Sequence, residues 1–383
     1  MNLKCAMPKK GICSGSAGLS ALACLALLVL GASPMMAQSA GEFVPGTFRG
    51  LIQAGSLNDE SFGFFIFSLT RSGAFSGRFT YGKNVYPLHG RFNADGSYAY
   101  EHPDYNTHLA RPRFINLQLS PADGSSDVNG TITDLTHNAT LSGERTRVYS
   151  LNDPAPYAGY YTFCIRPPNE AGAPEGSGFG RVSVDRYGHV FVGGIIAGGR
   201  PFSQATTLAE GGRWEMYARL SGNAGLISGS MIFRDLSGSD FDGTITWLGP
   251  EEPFVNDVVR AYVNNFAVDA AVAGSAYRYI PGNPVLNVDF TAPNAQLTFA
   301  GGAIDTALSK SITISPRNLV SFDPRSPGDA MAISPGTGFF AGTFLANGTS
   351  LARFRGAILQ KQNIGVGYFN ESGQVGNVTL QSN

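Results

Sequence analysis

The chain has 383 residues, 14% of them charged, and its 27 Lys and Arg against 28 Asp and Glu leave a formal net charge of −1. Charge this sparse and balanced supplies no basic patch for nucleic acid and no basic amphipathic helix for a membrane surface. The 49 glycines, with aromatics drawn almost entirely from Phe and Tyr, suit short strands and tight turns.

In chain order, the first element is not part of the fold. Lys4, Lys9 and Lys10 precede an apolar run from Ala17 to Ala32, and a small-residue stretch ends at Ala37-Gln38-Ser39-Ala40. A charged start, a short apolar run and a small-residue exit describe a secretory signal. The run is shorter than the roughly 20 residues that span a bilayer. Residues 1–39 are therefore expected to be a signal peptide, cleaved between Ala37 and Ala40. The remainder is expected to be exported to the periplasm, cell surface or medium. Cys5, Cys13 and Cys24 would leave with the signal. The remaining thiol, Cys164, has no internal disulfide partner, and its place in the apolar stretch Tyr160–Ile165 makes it a core residue.

Period-two alternation then recurs along the chain. Phe75, Phe79 and Tyr81 share one face of a strand, with Ser76, Arg78 and Thr80 on the other. After a turn at Gly82-Lys83-Asn84, Tyr86, Leu88 and Phe92 point inward while His89 and Arg91 point outward. Asn93-Ala94-Asp95-Gly96 turns the chain again, with the positive-φ residue types that hairpins use. The pattern predicts antiparallel meanders. The one stretch with helical spacing is Val255–Phe266; its sequel, Phe266–Val272, alternates as a strand.

The chain also echoes itself. Ser68-Leu69-Thr70-Arg71 matches Ser183-Val184-Asp185-Arg186, and Gly130-Thr131-Ile132-Thr133 matches Gly243-Thr244-Ile245-Thr246. Pro45-Gly46-Thr47-Phe48 corresponds to Ala158-Gly159-Tyr160-Tyr161. Further on, Gly338–Phe344 echoes Gly73–Phe79, and Phe354–Ile358 echoes Leu88–Phe92. The expected fold is all-β, with two or three antiparallel meander modules, each a small β-barrel or sandwich. Turn-residue clusters at Asn152–Pro156 and Gly249–Pro253 place the modules at 41–152, 153–250 and 251–383. Arg166–Gly178 reads as a long loop within the second, of the kind that often carries function.

Pro154–Tyr161 and Gly356–Asn363, followed by Gly365-Val366-Gly367-Tyr368-Phe369, resemble a glycine- and aromatic-rich β-repeat region of large exported proteins from environmental Gram-negative bacteria. The resemblance implies export and β-architecture, and brings no catalytic residue.

No G-x-S-x-G, H-E-x-x-H, C-x-x-C or phosphate-cradling glycine loop occurs in the chain after residue 39. Within Glu101–His108, His102, Asp104 and His108 could ligate a transition metal if the loop curled; a solvated polar loop is the plainer account. His137 and His189 read as isolated surface residues at turns. Asp235, Asp240 and Asp242 lack the spacing of a calcium loop and read as a hairpin turn. Trp214 and Trp247, the two tryptophans, are candidates for stacking on a sugar, against the commoner use of large aromatics in cores. Glu170, Glu175 and Asp185 are the acids that a dispersed glycosidase site could draw on.

No cofactor is expected. The leading expectation is a non-enzymatic exported protein with a binding or surface-structural role. Its partner would be an extracellular or envelope ligand, with carbohydrate one candidate class. Two alternatives stand beside it: an integral outer-membrane barrel and a secreted carbohydrate-active enzyme. Membrane insertion is disfavoured by strands of about 5–8 residues, against the roughly 9–11 a tilted membrane strand needs.

Overall fold

A computed structural model describes residues 43–54, 62–102, 112–119, 126–134, 137–220, 225–249, 266–371 and 373–383. The expected signal segment, Asp104, His108 and all but the last residue of the helix candidate lie outside the described residues. Within them the chain forms strands and turns, with one short 3₁₀ turn at Glu210–Gly212. The fold is all-β, and its strands assemble into three antiparallel eight-stranded sheets, each rolled into a nearly closed barrel.

Barrel 1 comprises β1 (Gly46–Ala54), β2 (Gly63–Leu69), β3 (Ala74–Tyr81), β4 (Asn84–Arg91), β5 (Ser97–Glu101), β6 (Phe114–Leu119), β7 (Asp127–Thr133) and β8 (Asn138–Arg145). Barrel 2 comprises β9 (Gly159–Arg166), β10 (Gly178–Val184), β11 (His189–Ile195), β12 (Pro201–Thr207), β13 (Arg213–Arg219), β14 (Leu226–Leu236), β15 (Ser239–Leu248) and β16 (Ala267–Ala276). Barrel 3 comprises β17 (Ala295–Gly301), β18 (Ile304–Ile314), β19 (Val320–Phe322), β20 (Ala330–Ser334), β21 (Phe339–Ala346), β22 (Ser350–Leu359), β23 (Ile364–Glu371) and β24 (Gln374–Ser382). In each barrel neighbours in sequence pair with one another except at one seam, and the first strand pairs with the last: β1 with β8, β9 with β16, β17 with β24.

Alternation decides which side chains fill these barrels. Phe75, Phe79 and Tyr81 of β3 join Phe65, Phe67 and Leu88 in the core of barrel 1, while Ser76 and Arg78 face water. The interiors are packed with rings: Phe48 stacks on Phe67 at 5.1 Å in barrel 1, and Phe299 on Phe344 at 3.8 Å in barrel 3. Strand glycines make room for them. Gly50 pairs with Gly143 across β1 and β8, and a Cβ on Gly50 would lie 2.3 Å from the Phe65 ring and 2.1 Å from the Ser142 carbonyl oxygen.

The positions that echo each other at the start of the chain occupy matching strands. Gly46 opens β1 and Gly159 opens β9; Ser68 lies in β2 and Ser183 in β10; Gly130 lies in β7 and Gly243 in β15. The third barrel behaves differently. Gly338 precedes β21, the fifth strand of its barrel, whereas Gly73 precedes β3, a third strand. That echo is one of local strand pattern at positions two strands apart in the topology.

The boundary expected at residue 250 shifts. β16 pairs with both β15 and β9, so residues 267–276 complete the second barrel and do not begin the third. The reason is closure: without β16, β15 and β9 would each present an unpaired edge. The third barrel begins after a linker whose Val285, Leu286 and Val288 are buried in its core.

Adjacent barrels are in contact. Phe62 of the first is buried with Leu226 and Leu248 of the second, and Arg213 pairs with Glu144 at 2.8 Å. Between the second and third, the Thr162 hydroxyl donates to the Ile358 carbonyl at 2.5 Å. Lys361 reaches from the β22–β23 turn to Asp235 and Asp240.

Candidate functional site

An eight-stranded meander can close completely only if its two end strands meet, and the three barrels treat that seam differently. In barrel 2 the end strands are β12 and β13, and a side chain joins them. The Gln204 amide donates from Nε2 to the Glu215 carbonyl at 3.0 Å, and its Oε1 accepts from the Tyr217 N–H at 2.9 Å. The amide thus does what a peptide unit of a neighbouring strand would do. In barrel 3 the end strands are β19 and β20. There Lys310 of β18 reaches the side chain of Asp329, just before β20, at 2.9 Å, and the Asp329 side chain is fully buried.

In barrel 1 the end strands β4 and β5 are not hydrogen-bonded to each other through their backbones. Pro87 lies in the middle of β4 and has no N–H to offer a neighbour, the mark of an edge strand. Across from it, the turn at Asp95-Gly96 starts β5, in which Tyr98 and Tyr100 lie on one face, with His102 next in the same alternation. Tyr98 packs edge-on against Phe75 at 4.9 Å and donates its hydroxyl to the His89 carbonyl at 3.1 Å. Its ring fills the space above Gly90, where a Cβ would come within 2.3 Å of it. Burial, reinforced by the neighbouring Tyr100, pushes the Tyr98 phenol above its ordinary pKa.

This unzipped seam is a cleft of about 540 Å³, bordered by Tyr86, Tyr98, Tyr100, His89 and His102 above a base that includes Phe79. Phe79 and Tyr86 stack at 5.3 Å. Tyr100 is 40% exposed, and its ring meets His102 edge-on at 6.3 Å. Among the described residues no carboxylate lines the cleft. The chemistry on offer is flat apolar faces with phenol and imidazole groups at their edges, which suits stacking and hydrogen bonding to an uncharged ring.

The residues singled out from the sequence fall in several places. His102 lies in this cleft, while Asp104 and His108 are outside the described residues. Among the described residues no group of three or more His, Cys, Asp or Glu side chains is placed to hold a metal. Trp214 and Trp247 are each 1% exposed, in the core of barrel 2. The stacking reading of these two is corrected: their strands carry them inward, with Met216 and Ala218 on the Trp214 face and Ile245 on the Trp247 face. Trp214 meets Phe241 edge-on at 6.0 Å, and among the described residues its Nε1 has no hydrogen-bond partner.

The three aspartates considered for calcium are occupied by the protein's own cations, Asp235 and Asp240 by Lys361 and Asp242 by Arg234. His137 and His189 are bound to Asp134 and Asp185, at 3.2 and 2.8 Å. Glu170 and Glu175 border a cleft beneath the loop they belong to, but Glu175 accepts from the Gly302 N–H of barrel 3. Asp185 sits in the β10–β11 turn. The long loop is a strap: the Ser177 N–H donates to the Gly367 carbonyl at 3.2 Å, and its hydroxyl to Asn377 at 3.2 Å.

What the sequence reasoning missed was the aromatic face of β5. The signal was present in Tyr98-x-Tyr100-x-His102, directly after a hairpin turn and opposite a strand interrupted by proline.

No protein-family model matches the chain, and no curated protein matches it. Among solved structures it is similar to a protein of unknown function from the DUF3598 family of Nostoc punctiforme, at 10% identity and a TM-score of 0.22, over 62% of this chain and 96% of that one. It is also similar to a double mutant of the vaccine antigen transferrin binding protein B from Haemophilus parasuis, at 8% identity and a TM-score of 0.20, over 89% of this chain and 75% of that one. At these TM-scores neither likeness carries an argument about this chain.

Proposed function

We propose that this is an exported, non-enzymatic triple-barrel protein that binds an uncharged, hydroxyl-bearing ring, with carbohydrate the leading class, in the seam cleft of barrel 1. The observation that carries the reading is the face of β5, which holds Tyr98, Tyr100 and His102 in line over a cleft at the seam, where barrel 2 has an amide clasp and barrel 3 a buried ion pair. Aromatic rings with hydrogen-bonding edges give a sugar both a platform and partners for its hydroxyls. The lining also speaks against glycoside hydrolysis there, because the usual chemistry needs a pair of carboxylates.

Each barrel is apolar within, and its outward strand positions include Arg78, Ser76, Arg353 and Arg355. This is the inverse of a membrane barrel, which is apolar outside and polar within. Among the described residues no helix is long and apolar enough to cross a membrane.

The test is a panel of neutral oligosaccharides titrated against the exported chain by calorimetry. A saturable ligand is expected, weakened about 3- to 10-fold by Tyr100→Ala, the loss of one stacked ring, with the circular dichroism spectrum unchanged. Absence of saturable binding across the panel, or binding indifferent to Tyr100→Ala, would sink the reading.

A further inference from the structure

A second recess is formed where the outer faces of barrels 2 and 3 approach each other, a groove of about 970 Å³. Its walls come from β10 and β11 on one side and from β20, β21 and β22 on the other. Alternation sets what faces it. On β10, Val182 and Val184 turn into the barrel core, leaving Phe179 and Arg181 on the outer face. On β22, Phe354 turns inward, leaving Arg353 and Arg355 outside.

The result is three guanidinium groups bordering one groove with no acidic residue among its described lining. Among the described residues none of the three has a hydrogen-bond or ion-pair partner; Arg355 lies over the Tyr368 ring at 5.9 Å. On the groove side their cross-strand neighbours are small: Gly193 opposite Arg181, Ala341 opposite Arg355 and Thr343 opposite Arg353, while Thr162, Asn370 and Tyr368 flank them on the other side. The strip on the groove side of each guanidinium is therefore lined by small residues. Phe179 and Phe339 meet edge-on at 5.4 Å in the apolar part, with Ile195 and Ile333 beside them.

At Lys361, Arg234 and Lys310 the chain supplies the counter-charge itself. Here it does not. Guanidinium is the side chain best matched to carboxylate and phosphate oxygens, because its planar fork can donate two parallel hydrogen bonds. Arg353 and Arg355, two residues apart on one strand face, stand about 7 Å from each other along the strand, a spacing that brackets one anionic headgroup. The aromatic and aliphatic wall beyond them would bury an apolar body.

We propose that this groove binds a single-chain anionic lipid, its carboxylate or phosphate head held by Arg181, Arg353 and Arg355 and its chain laid against Phe179, Phe339 and Ile195. The site is separate from the barrel 1 cleft, and the two readings stand or fall independently.

The test uses the exported chain with oleate, lysophosphatidate and oleyl alcohol, each below its aggregation concentration, displacing a fluorescent fatty acid. Both anions should displace the probe at a stoichiometry of one, at least tenfold more tightly than the alcohol, and less tightly as salt rises. Arg353→Gln with Arg355→Gln should weaken displacement at least tenfold, and Arg317→Gln, on a remote turn, should leave it unchanged. Gly193→Phe supplies a second, uncharged test. A Cβ at Gly193 meets nothing within 4 Å, so the ring can enter the groove without disturbing the barrel and should abolish displacement. Tyr100→Ala should have no effect. The proposal is overturned if no saturable displacement occurs, if oleyl alcohol matches the anions, if inorganic phosphate competes as well as lysophosphatidate, or if both groove variants behave as the parent chain.

Discussion

Barrels 1 and 2 share strand order and direction, yet one seam is stitched and the other gapes. In barrel 2 a single amide, Gln204, satisfies one carbonyl and one N–H of β13. In barrel 1 the Tyr98 hydroxyl reaches one carbonyl across the seam, that of His89. The lesson is that a meander's topology brings its end strands near each other without deciding whether they join. A few side chains at the edge decide that, and so decide whether the barrel is a plug of core or the frame of a cleft.

Barrel 3 offers the harshest way to break this comparison. Lys310→Met removes the cation facing the fully buried Asp329 side chain, whose Oδ1 already has no partner. Stranding that charge should cost about 3 kcal/mol, read from chemical denaturation at pH 7. A loss below about 1 kcal/mol would show that the seam does not depend on the pair.

The next effect belongs to β13. Burial raises the Glu215 carboxyl from its ordinary 4.5 to about 7, against the lowering influence of the Ser230 hydroxyl. Between those two values the folded chain holds a proton that the unfolded chain has released, so stability should fall as pH rises through that window. The change is up to about 3 kcal/mol. Glu215→Gln should flatten that slope and raise stability at pH 8. An unchanged slope would place the carboxyl in water.

Gln204→Leu should cost about 2 kcal/mol, chiefly by orphaning the Tyr217 N–H, and should speed amide exchange at Tyr217. If it does neither, backbone proximity alone closes the second barrel. The mildest change sharpens the contrast from the other side. Tyr98→Phe gives up one hydrogen bond, about 1 kcal/mol, while keeping the ring against Phe75; unfolding midpoints for parent and variant would measure it.

Much of this was legible in the residues. The alternation at Phe75, Phe79 and Tyr81 names the inner face of β3 without any knowledge of the fold, because a strand has no other way to separate apolar from polar. Alternation is silent, however, about which edges meet. Gln204 reads as an ordinary outward residue of an ordinary strand, and its role exists only because β12 and β13 become neighbours. The same blindness misplaced residues 267–276. A Pro- and Glu-containing stretch ahead of them looks like a boundary, but pairing with β9, more than a hundred positions earlier, outweighs it. The tryptophans were decidable by parity, since Trp214, Met216 and Ala218 repeat at every second position.

In every barrel the chain enters and leaves at one point, because the first strand runs antiparallel to the last: Phe48 faces Arg145, Tyr161 faces Ala276 and Ala295 faces Ser382. A chain tethered at one end and pulled at the other would load each of these strand pairs from its tip. The bonds would then part in succession, as a zipper does, and would not resist together as they do in shear. Loaded that way, the three barrels would open from their tips and lengthen the chain one after another.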